Sequence, residues 1–285
     1  MSPVQRIGVV GSGQMGAGIA EVAARAGLSV VLRSRSRSAA DDAVAALDRS
    51  LARQVEKGRL ATDERTAIVG RVASTASLAD LAGCEIVIES IVEDLAAKRQ
   101  LFTELDQVCP HALVLATNTS TLPVMDMASH TSHPERVCGI HFFNPAPTMT
   151  LVEIVRPLTA SKSTIETARA FALACGKDPI DVQDRAGFVV NALLFPYLNN
   201  AVRLYERGTA SMADIDTAMK GGCNFPMGPF ALLDLIGLDT SVAILQALYG
   251  ESRDPNVAPA PTLLRLVEAG RFGRKSGRGF YDYGR

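Results

Sequence analysis

The sequence is short of the features that mark secreted, membrane-spanning or nucleic-acid-binding proteins. Its five cysteines are an odd number without CxxC spacing, which favours reduced thiols over a disulfide framework. It has no apolar run of about 18 residues and no signal-peptide pattern at its start. A net charge of −1 provides no overall field to attract nucleic acid or a membrane surface. We therefore expect a cytoplasmic protein with neither of these partners.

The first half of the 285-residue chain alternates between strand-like and helix-like segments. Apolar, β-branched runs at 6–10 and 28–32 enclose a helix-like segment at 17–26. Further strands are predicted at 85–88, 113–117, 137–141 and 151–155, with a helix at 95–108. This alternation predicts a doubly wound, Rossmann-like parallel sheet with helices on both faces.

Two parts of the chain depart from this alternation. Residues 39–70 place Ala, Leu and charges at helical spacing around Gly58, which predicts a helical hairpin inserted into the sheet domain. Beyond residue 184, strand patterns disappear, and helices are predicted at 188–207, 211–220, 229–249 and 261–270. We therefore expect an α/β dinucleotide-binding domain at 1–184 and an all-α domain at 185–285.

A glycine-rich loop follows the first predicted strand and opens the first helix. Gly11 permits a tight turn, Gly13 lets the backbone approach a pyrophosphate, and Gly16 lets the helix pack close to the strand. Gln14 and Met15 lie at the start of the helix, where free N–H groups favour phosphate. The loop therefore predicts a dinucleotide site, and a glycine-rich turn without a ligand is the alternative.

The position after the second strand bears on the choice between NAD and NADP. An NAD site usually carries an acid there for the ribose 2′-hydroxyl, whereas this chain has Ser34 between Arg33 and Arg35, with Arg37 beyond. A small hydroxyl among guanidinium groups would accept the 2′-phosphate that an acid would repel. We therefore favour NADP over NAD, and a solvated arginine turn is the alternative.

Three polar residues lie in or near predicted strands, whose carboxyl ends bind ligands in doubly wound sheets. His141 ends a strand, Ser120 lies just past another, and Glu153 interrupts an apolar strand. Alcohol oxidation by hydride transfer requires a base for the hydroxyl proton, and histidine as a residue type titrates near neutrality. A carboxylate would orient the ring, and a serine hydroxyl could hold the substrate oxygen. The set predicts a nucleotide-dependent oxidoreductase without a metal.

Each of these three residues also has a structural interpretation. His141 could be a hydrogen-bonded structural residue, Glu153 a surface residue of an edge strand, and Ser120 a helix N-cap. The pattern alone leaves the substrate open.

Several stretches distributed from end to end carry a family resemblance. They are 11–16, 87–93 with Lys98, 118–120, 141–145, 187–191, 205–208, 214–219, 226–229 and 277–281. Together they resemble the L-3-hydroxyacyl-CoA dehydrogenase family, which includes 3-hydroxybutyryl-CoA dehydrogenases. The resemblance implies that His141 is the catalytic base and acid, with Glu153 as its partner. It also implies that Ser120 and Asn191 position the reacting oxygen and the nicotinamide side of the site.

The resemblance extends to binding residues and to assembly. It implies that Glu93, Lys98 and Asn118 contact the dinucleotide and that Asn144 lines the substrate site. The hairpin at 39–70 resembles the coenzyme A-binding projection of the family, and its candidates by charge and helical spacing are Arg49, Arg53 and Lys57. A solvated charged face is the alternative for these three. The C-terminal domain resembles the dimerisation domain of the family, which implies a homodimer.

Two departures from the family pattern stand out. Family members commonly carry an acid at the position of Ser34, so its absence supports NADP, although the arginines could instead contact the coenzyme A 3′-phosphate. Many members have Arg at the position of Ala192, which bears on the acyl or thioester environment.

Three functions are weighed from the sequence. The leading one is an NADP-linked dehydrogenase of short-chain 3-hydroxyacyl-CoA thioesters in fatty acid metabolism. The second is a dehydrogenase that performs the same reaction on thioesters linked to acyl carrier protein, for polyketide extender-unit synthesis. The third is a binding protein that keeps the nucleotide site without catalysis, which the complete set of four catalytic residues disfavours.

Overall fold

The computed structural model describes residues 4–284. The chain divides in sequence between Asp184 and Arg185 into an α/β unit and a helical unit. The α/β unit is built on an eight-stranded sheet of order β3-β2-β1-β4-β5-β6-β7-β8. Its strands are β1 Arg6–Val10, β2 Ser29–Arg33, β3 Val72–Thr75, β4 Ile86–Glu89, β5 Val114–Thr117, β6 Val137–Phe142, β7 Leu151–Arg156 and β8 Asp178–Gln183.

The sheet confirms the predicted Rossmann-like fold, with one correction. All neighbouring strands run parallel except β6 and β7, which pair antiparallel, so the expectation of a wholly parallel sheet was wrong. Only eight residues separate these two strands, and a parallel pair would need a crossover of a dozen residues or more. The antiparallel turn reverses the direction of β7 and thereby places Glu153 opposite His141.

The interior strands β4, β5 and β6 are largely apolar because both of their faces are covered. Every residue of β4, β5 and β6 is buried, which is the expected pattern for strands in the middle of a doubly wound sheet. The edge strands β3 and β8 alternate buried and exposed residues instead. Neither edge strand was predicted, because short half-exposed strands lack an apolar run.

Six α-helices belong to this unit: α1 Gln14–Arg25, α2 Arg37–Glu56, α3 Thr62–Gly70, α4 Leu95–Val108, α5 Val124–Ala128 and α6 Lys162–Ala174. Three of them begin at a polar side chain that accepts a backbone N–H of the first turn: Ser36 for α2, Asp94 for α4 and Ser161 for α6. Helices α2 and α3 form the inserted hairpin. Leu47, Leu51 and Ile68 anchor it to the core of the unit.

The helical unit contains α7 Val190–Glu206, α8 Met212–Cys223, α9 Pro229–Ile236, α10 Leu238–Ser252 and α11 Pro261–Glu268. The single helix predicted at 229–249 is two helices, because Gly237 at their junction has a φ of 107°. Phe195, Phe230 and Leu245 lie in the core of this unit. No single helix within residues 4–284 is long and apolar enough to cross a membrane, and α9 with α10 passes that test only as a pair bent by 97°.

Candidate functional site

The glycine-rich loop has the shape that a dinucleotide requires. Gly11 has a φ of 119°, and a Cβ there would lie 2.2 Å from the carbonyl oxygen of Ser90. A Cβ on Gly16 would lie 1.9 Å from the carbonyl oxygen of Gly11, so Gly16 packs against the loop itself more closely than against β1. These two glycines are required by the packing of the protein.

Gly13 differs from the other two glycines of the loop. A Cβ there would meet no atom of residues 4–284 within 4 Å, so packing within the described chain does not require glycine at this position. Gly13 is also the N-cap of α1 and supplies no side chain to bond the first N–H groups of the helix. Open space in front of a helix N-terminus fits a pyrophosphate, with exposed Gln14 and half-buried Met15 at its rim.

Ser34 lies directly after β2 and is buried. Its Oγ is 2.7 Å from the Oγ of Ser12, a residue of the glycine-rich loop that sequence reasoning missed. The position that holds an acid in an NAD site is therefore occupied by two hydroxyl groups in contact with each other.

The three neighbouring arginines have different surroundings. Arg33 is half-buried and donates from Nε to the carbonyl oxygen of Ala76, at 3.3 Å. Arg37 donates to Asp41 at 2.9 Å, and hydrogen bonds from Ser74 and then Arg37 lower the pKa of that carboxyl. Arg35 is exposed. The cluster is thus not uniformly a solvated turn: Arg33 is half-buried, whereas Arg35 and Arg37 are exposed.

His141 and Glu153 lie opposite each other on the antiparallel strands β6 and β7. Side chains directly opposite in such a pair share one face of the sheet. Here the Nδ1 of His141 is 2.7 Å from Oε2 of Glu153, and both side chains are buried. Because β7 lies between β6 and β8, Glu153 is not a surface residue of an edge strand.

The contact has a chemical consequence for the imidazole ring. A carboxylate accepts a hydrogen bond, so an ionised Glu153 selects the tautomer in which Nδ1 carries the proton and Nε2 carries the lone pair. The ring of Phe143 packs against the ring of His141 with centroids 4.5 Å apart. A ring held in this way can accept a proton at Nε2 while the carboxylate stabilises the imidazolium.

Ser120 and Asn118 lie in the loop after β5. The side-chain oxygen of Asn118 accepts from the backbone N–H of Phe142 at 2.8 Å, which ties this loop to the end of β6. Ser120 is half-buried, and its backbone N–H donates to Glu93 at 3.2 Å. Since Pro123 is the N-cap of α5, Ser120 does not cap that helix.

A buried lysine joins the end of β4 to the same loop. Nζ of Lys98 lies 2.6 Å from Oε1 of Glu89 and 3.2 Å from Oε2 of Glu93. Glu89 also accepts the hydroxyl of Thr117 at 2.7 Å. Sequence reasoning missed Glu89, although a charge at the end of an apolar strand is the same signal that singled out Glu153.

Glu93 completes this network. It accepts hydrogen bonds from the hydroxyls of Thr119 and Thr121 and from the backbone of Ser120. Burial alone would raise the pKa of Glu93, but the charge of Lys98 and these hydrogen bonds outweigh it and lower the pKa. A carboxylate and an ammonium are therefore held beside the loop that carries Asn118 and Ser120.

The remaining predicted residues lie in the loop after β6, on and after α2, and in the helical unit. Asn144 is exposed and precedes a cis peptide bond to Pro145, in the loop after β6. Arg53 on α2 and Lys57, the C-cap residue of that helix, are exposed and form no side-chain hydrogen bond or ion pair within residues 4–284. Asn191 is buried near the start of α7, in the helical unit. The described residues contain no group of three side chains suited to a metal ion.

Comparison with known proteins extends along both units. Residues 6–185 match the sequence profile described as 3-hydroxyacyl-CoA dehydrogenase, NAD binding domain. Residues 187–283 match that described as 3-hydroxyacyl-CoA dehydrogenase, C-terminal domain. These two matches leave almost none of the chain outside the family.

Individual relatives agree with the profiles. A 3-hydroxybutyryl-CoA dehydrogenase of Mycobacterium tuberculosis is 46% identical over 283 residues, covering 98% of this chain and 99% of the relative. A 3-hydroxybutyryl-CoA dehydrogenase of Clostridioides difficile is 44% identical over 278 residues, covering 98% and 99%. The crystal structure of (S)-3-hydroxybutyryl-CoA dehydrogenase PaaH1 from Ralstonia eutropha has a TM-score of 0.96 at 40% identity, covering 99% of this chain and 100% of that one.

These matches confirm the family that the sequence motifs indicate. The two profiles together span the glycine-rich loop, the His141–Glu153 pair and the helical unit. The chain therefore belongs to the 3-hydroxyacyl-CoA dehydrogenase family, oxidoreductases whose first domain binds a nicotinamide cofactor.

Proposed function

We propose that this protein interconverts a short-chain L-3-hydroxyacyl-CoA and the corresponding 3-oxoacyl-CoA by hydride transfer, with NADP preferred to NAD. The observation that carries the reaction is the buried His141–Glu153 contact of 2.7 Å, in a chain 46% identical to a 3-hydroxybutyryl-CoA dehydrogenase. Acetoacetyl-CoA is accordingly the substrate of choice for a first test.

The roles of the residues follow from the proton that must move. In the oxidation direction, His141 accepts the proton of the C3 hydroxyl at Nε2, while Glu153 stabilises the imidazolium through Nδ1. A nicotinamide cofactor held at the glycine-rich loop would supply the acceptor for the hydride of C3. In the reverse direction, His141 returns the proton to the oxygen. Ser120 and Asn191 are proposed to hold the reacting oxygen and the nicotinamide side of the site.

The preference for NADP rests on the surroundings of Ser34. An ionised acid at this position would repel a 2′-phosphate, whereas the hydroxyls of Ser34 and Ser12 can donate hydrogen bonds to it. The exposed guanidinium of Arg35 can add a charge-assisted contact to the 2′-phosphate, and the half-buried Arg33 directly precedes Ser34. Glu93, Lys98 and Asn118 are proposed to contact other parts of the dinucleotide.

Coenzyme A is proposed to bind along the inserted hairpin. Arg49 and Arg53 on α2 and Lys57 at its C-cap recur at four-residue spacing, which favours one face of the helix, and all three are exposed. Their charges suit the phosphates of coenzyme A, and Asn144 is proposed to line the acyl site. By the same family resemblance, we propose a homodimer formed through the helical unit, and the cysteine pattern supports the proposal of a cytoplasmic protein.

A side-by-side rate assay tests this proposal. The purified protein is mixed with acetoacetyl-CoA and either NADPH or NADH, and kcat/KM is determined for each cofactor. We expect a higher kcat/KM with NADPH by about tenfold or more, equivalent to at least ~1.4 kcal/mol. A higher value with NADH would overturn the NADP preference and leave the reaction intact. Faster turnover of acetoacetyl groups on acyl carrier protein than on coenzyme A would overturn the choice of carrier.

A further inference from the structure

Residues 143–150, the β6–β7 loop, connect the strand of His141 to the strand of Glu153 and include Asn144. A lysine from outside the loop holds its backbone in place. Nζ of Lys177, which directly precedes β8, donates to the carbonyl oxygens of Ala146 and Met149, both at 2.7 Å. The side chain therefore bridges two carbonyls of the loop that lie three residues apart.

Burial of Lys177 makes this contact significant. The residue is only 7% exposed, and its ammonium forms no ion pair with any residue between 4 and 284. A buried charge is costly unless hydrogen bonds compensate for its lost hydration. Burial accordingly lowers the pKa of Lys177. The two loop carbonyls accept hydrogen bonds from this ammonium, so its burial depends on the conformation of the loop.

The β6–β7 loop also packs against the helix that follows the glycine-rich loop. A Cβ on Gly18 of α1 would lie 3.2 Å from the Cβ of Ala146 and 3.3 Å from Cδ of Pro147. Ala146 itself is 2% exposed. The loop thus contacts both the ammonium of Lys177 and α1. At Gly18 there is room for the hydrogen atom of glycine, whereas the methyl group of alanine would crowd the loop.

We propose that Lys177 is a positioning residue for the acyl substrate: it clamps the β6–β7 loop onto α1 and thereby places Asn144 beside the strand of His141. The inference rests on the proposed function, because it takes Asn144 to line the acyl site. Lys177 touches neither substrate nor cofactor in this scheme. Its loss loosens the loop, while the glycine-rich loop at the start of α1 keeps its own packing through Gly11 and Gly16.

The test compares Lys177→Met, Lys177→Arg and a matched control, Lys162→Met, whose exposed side chain forms only a surface pair with Glu166. For Lys177→Met we expect kcat/KM for acetoacetyl-CoA to fall by between about 10- and 100-fold, since a 1 Å misplacement can cost about 10²-fold. The Kd of NADPH, from fluorescence quenching, should stay within about twofold, because the pyrophosphate loop is unaltered. Lys177→Arg should recover part of the loss, and Lys162→Met should match the wild type.

A second readout needs no substrate and so separates this inference from the proposed function. The backbone N–H groups of Thr148 and Met149 both donate to the carbonyl oxygen of Pro145 inside the loop. Their hydrogen exchange should accelerate in Lys177→Met and not in Lys162→Met. If Lys177→Met fails to fold, Gly18→Ala should produce the same selective loss by crowding the loop from α1. Unchanged exchange and unchanged kcat/KM, or parallel losses of NADPH binding and turnover, would overturn the proposal. Wild-type inactivity with acetoacetyl-CoA but accelerated exchange in the variant would instead overturn the proposed substrate.

Discussion

The two halves of the sheet carry candidate sites that are built on opposite principles. At β1 and β2, the candidate cofactor site combines a turn made possible by Gly11 with the hydroxyls of half-buried Ser12 and buried Ser34 and with the exposed Arg35. At β6 and β7, the candidate acid–base site consists of two buried side chains, His141 and Glu153, on adjacent antiparallel strands. In the proposed function, the first region recognises the cofactor, whereas the second holds a proton at one atom.

This difference teaches which substitutions should be tolerated. In the candidate cofactor site, one side chain can be replaced by another at the cost of selectivity for the cofactor, because solvent and neighbouring side chains can adjust. A buried charged or polar pair has no such freedom, because removing one partner leaves the other without compensation. Lys98, buried between Glu89 and Glu93, behaves like the second region although it lies between the two.

The largest effect should come from the buried acid–base pair. His141→Gln should lower kcat by about 10²- to 10⁴-fold, because the base that accepts the hydroxyl proton is lost. Glu153→Gln should cause a fall of similar size, because a neutral amide neither selects the tautomer nor stabilises the imidazolium. Steady-state rates with acetoacetyl-CoA measure both, and an unchanged Kd for NADPH serves as the control. Normal turnover in either variant would show that the pair is structural.

The next effect concerns stability at the buried lysine. Glu89→Gln should lower the free energy of unfolding by about 3–5 kcal/mol, because it leaves a buried ammonium with one carboxylate instead of two. Urea unfolding followed by circular dichroism measures the change. The matched control is Glu166→Gln, which breaks an exposed ion pair and should cost less than about 1 kcal/mol. Equal costs for the two variants would remove the distinction between buried and accessible regions.

The smallest effect should come from the candidate cofactor site. Ser34→Asp should shift the ratio of kcat/KM for NADPH and NADH toward NADH by at least about tenfold, or ~1.4 kcal/mol, because a carboxylate repels the 2′-phosphate. The KM for acetoacetyl-CoA at saturating cofactor should remain that of the wild type. An unaltered cofactor ratio would mean that Ser34 does not face the 2′ position and that the arginines serve another phosphate.

Much of the architecture could be predicted because its signals are local. The glycine-rich loop with its flanking strand and helix, the inserted hairpin and the helical character of the C-terminal half all arise from residues close together in sequence. The edge strands β3 and β8 were not predicted, because half-exposed strands have no apolar run. The helix break at Gly237 was not predicted either, because the apolar pattern continues across it.

By itself, the sequence determined the fold class, the family and the candidate residues, since each depends on local spacing or on motifs distributed along the chain. Only the tertiary structure decided that β7 reverses direction and so brings Glu153 within 2.7 Å of His141. It alone revealed the contacts of Ser12 with Ser34, of Glu89 with Lys98, and of Lys177 with the β6–β7 loop. The physical reason is the same in each case: hydrogen bonds and ion pairs depend on distance and direction in space, and residues far apart in sequence acquire these only when the sheet has formed.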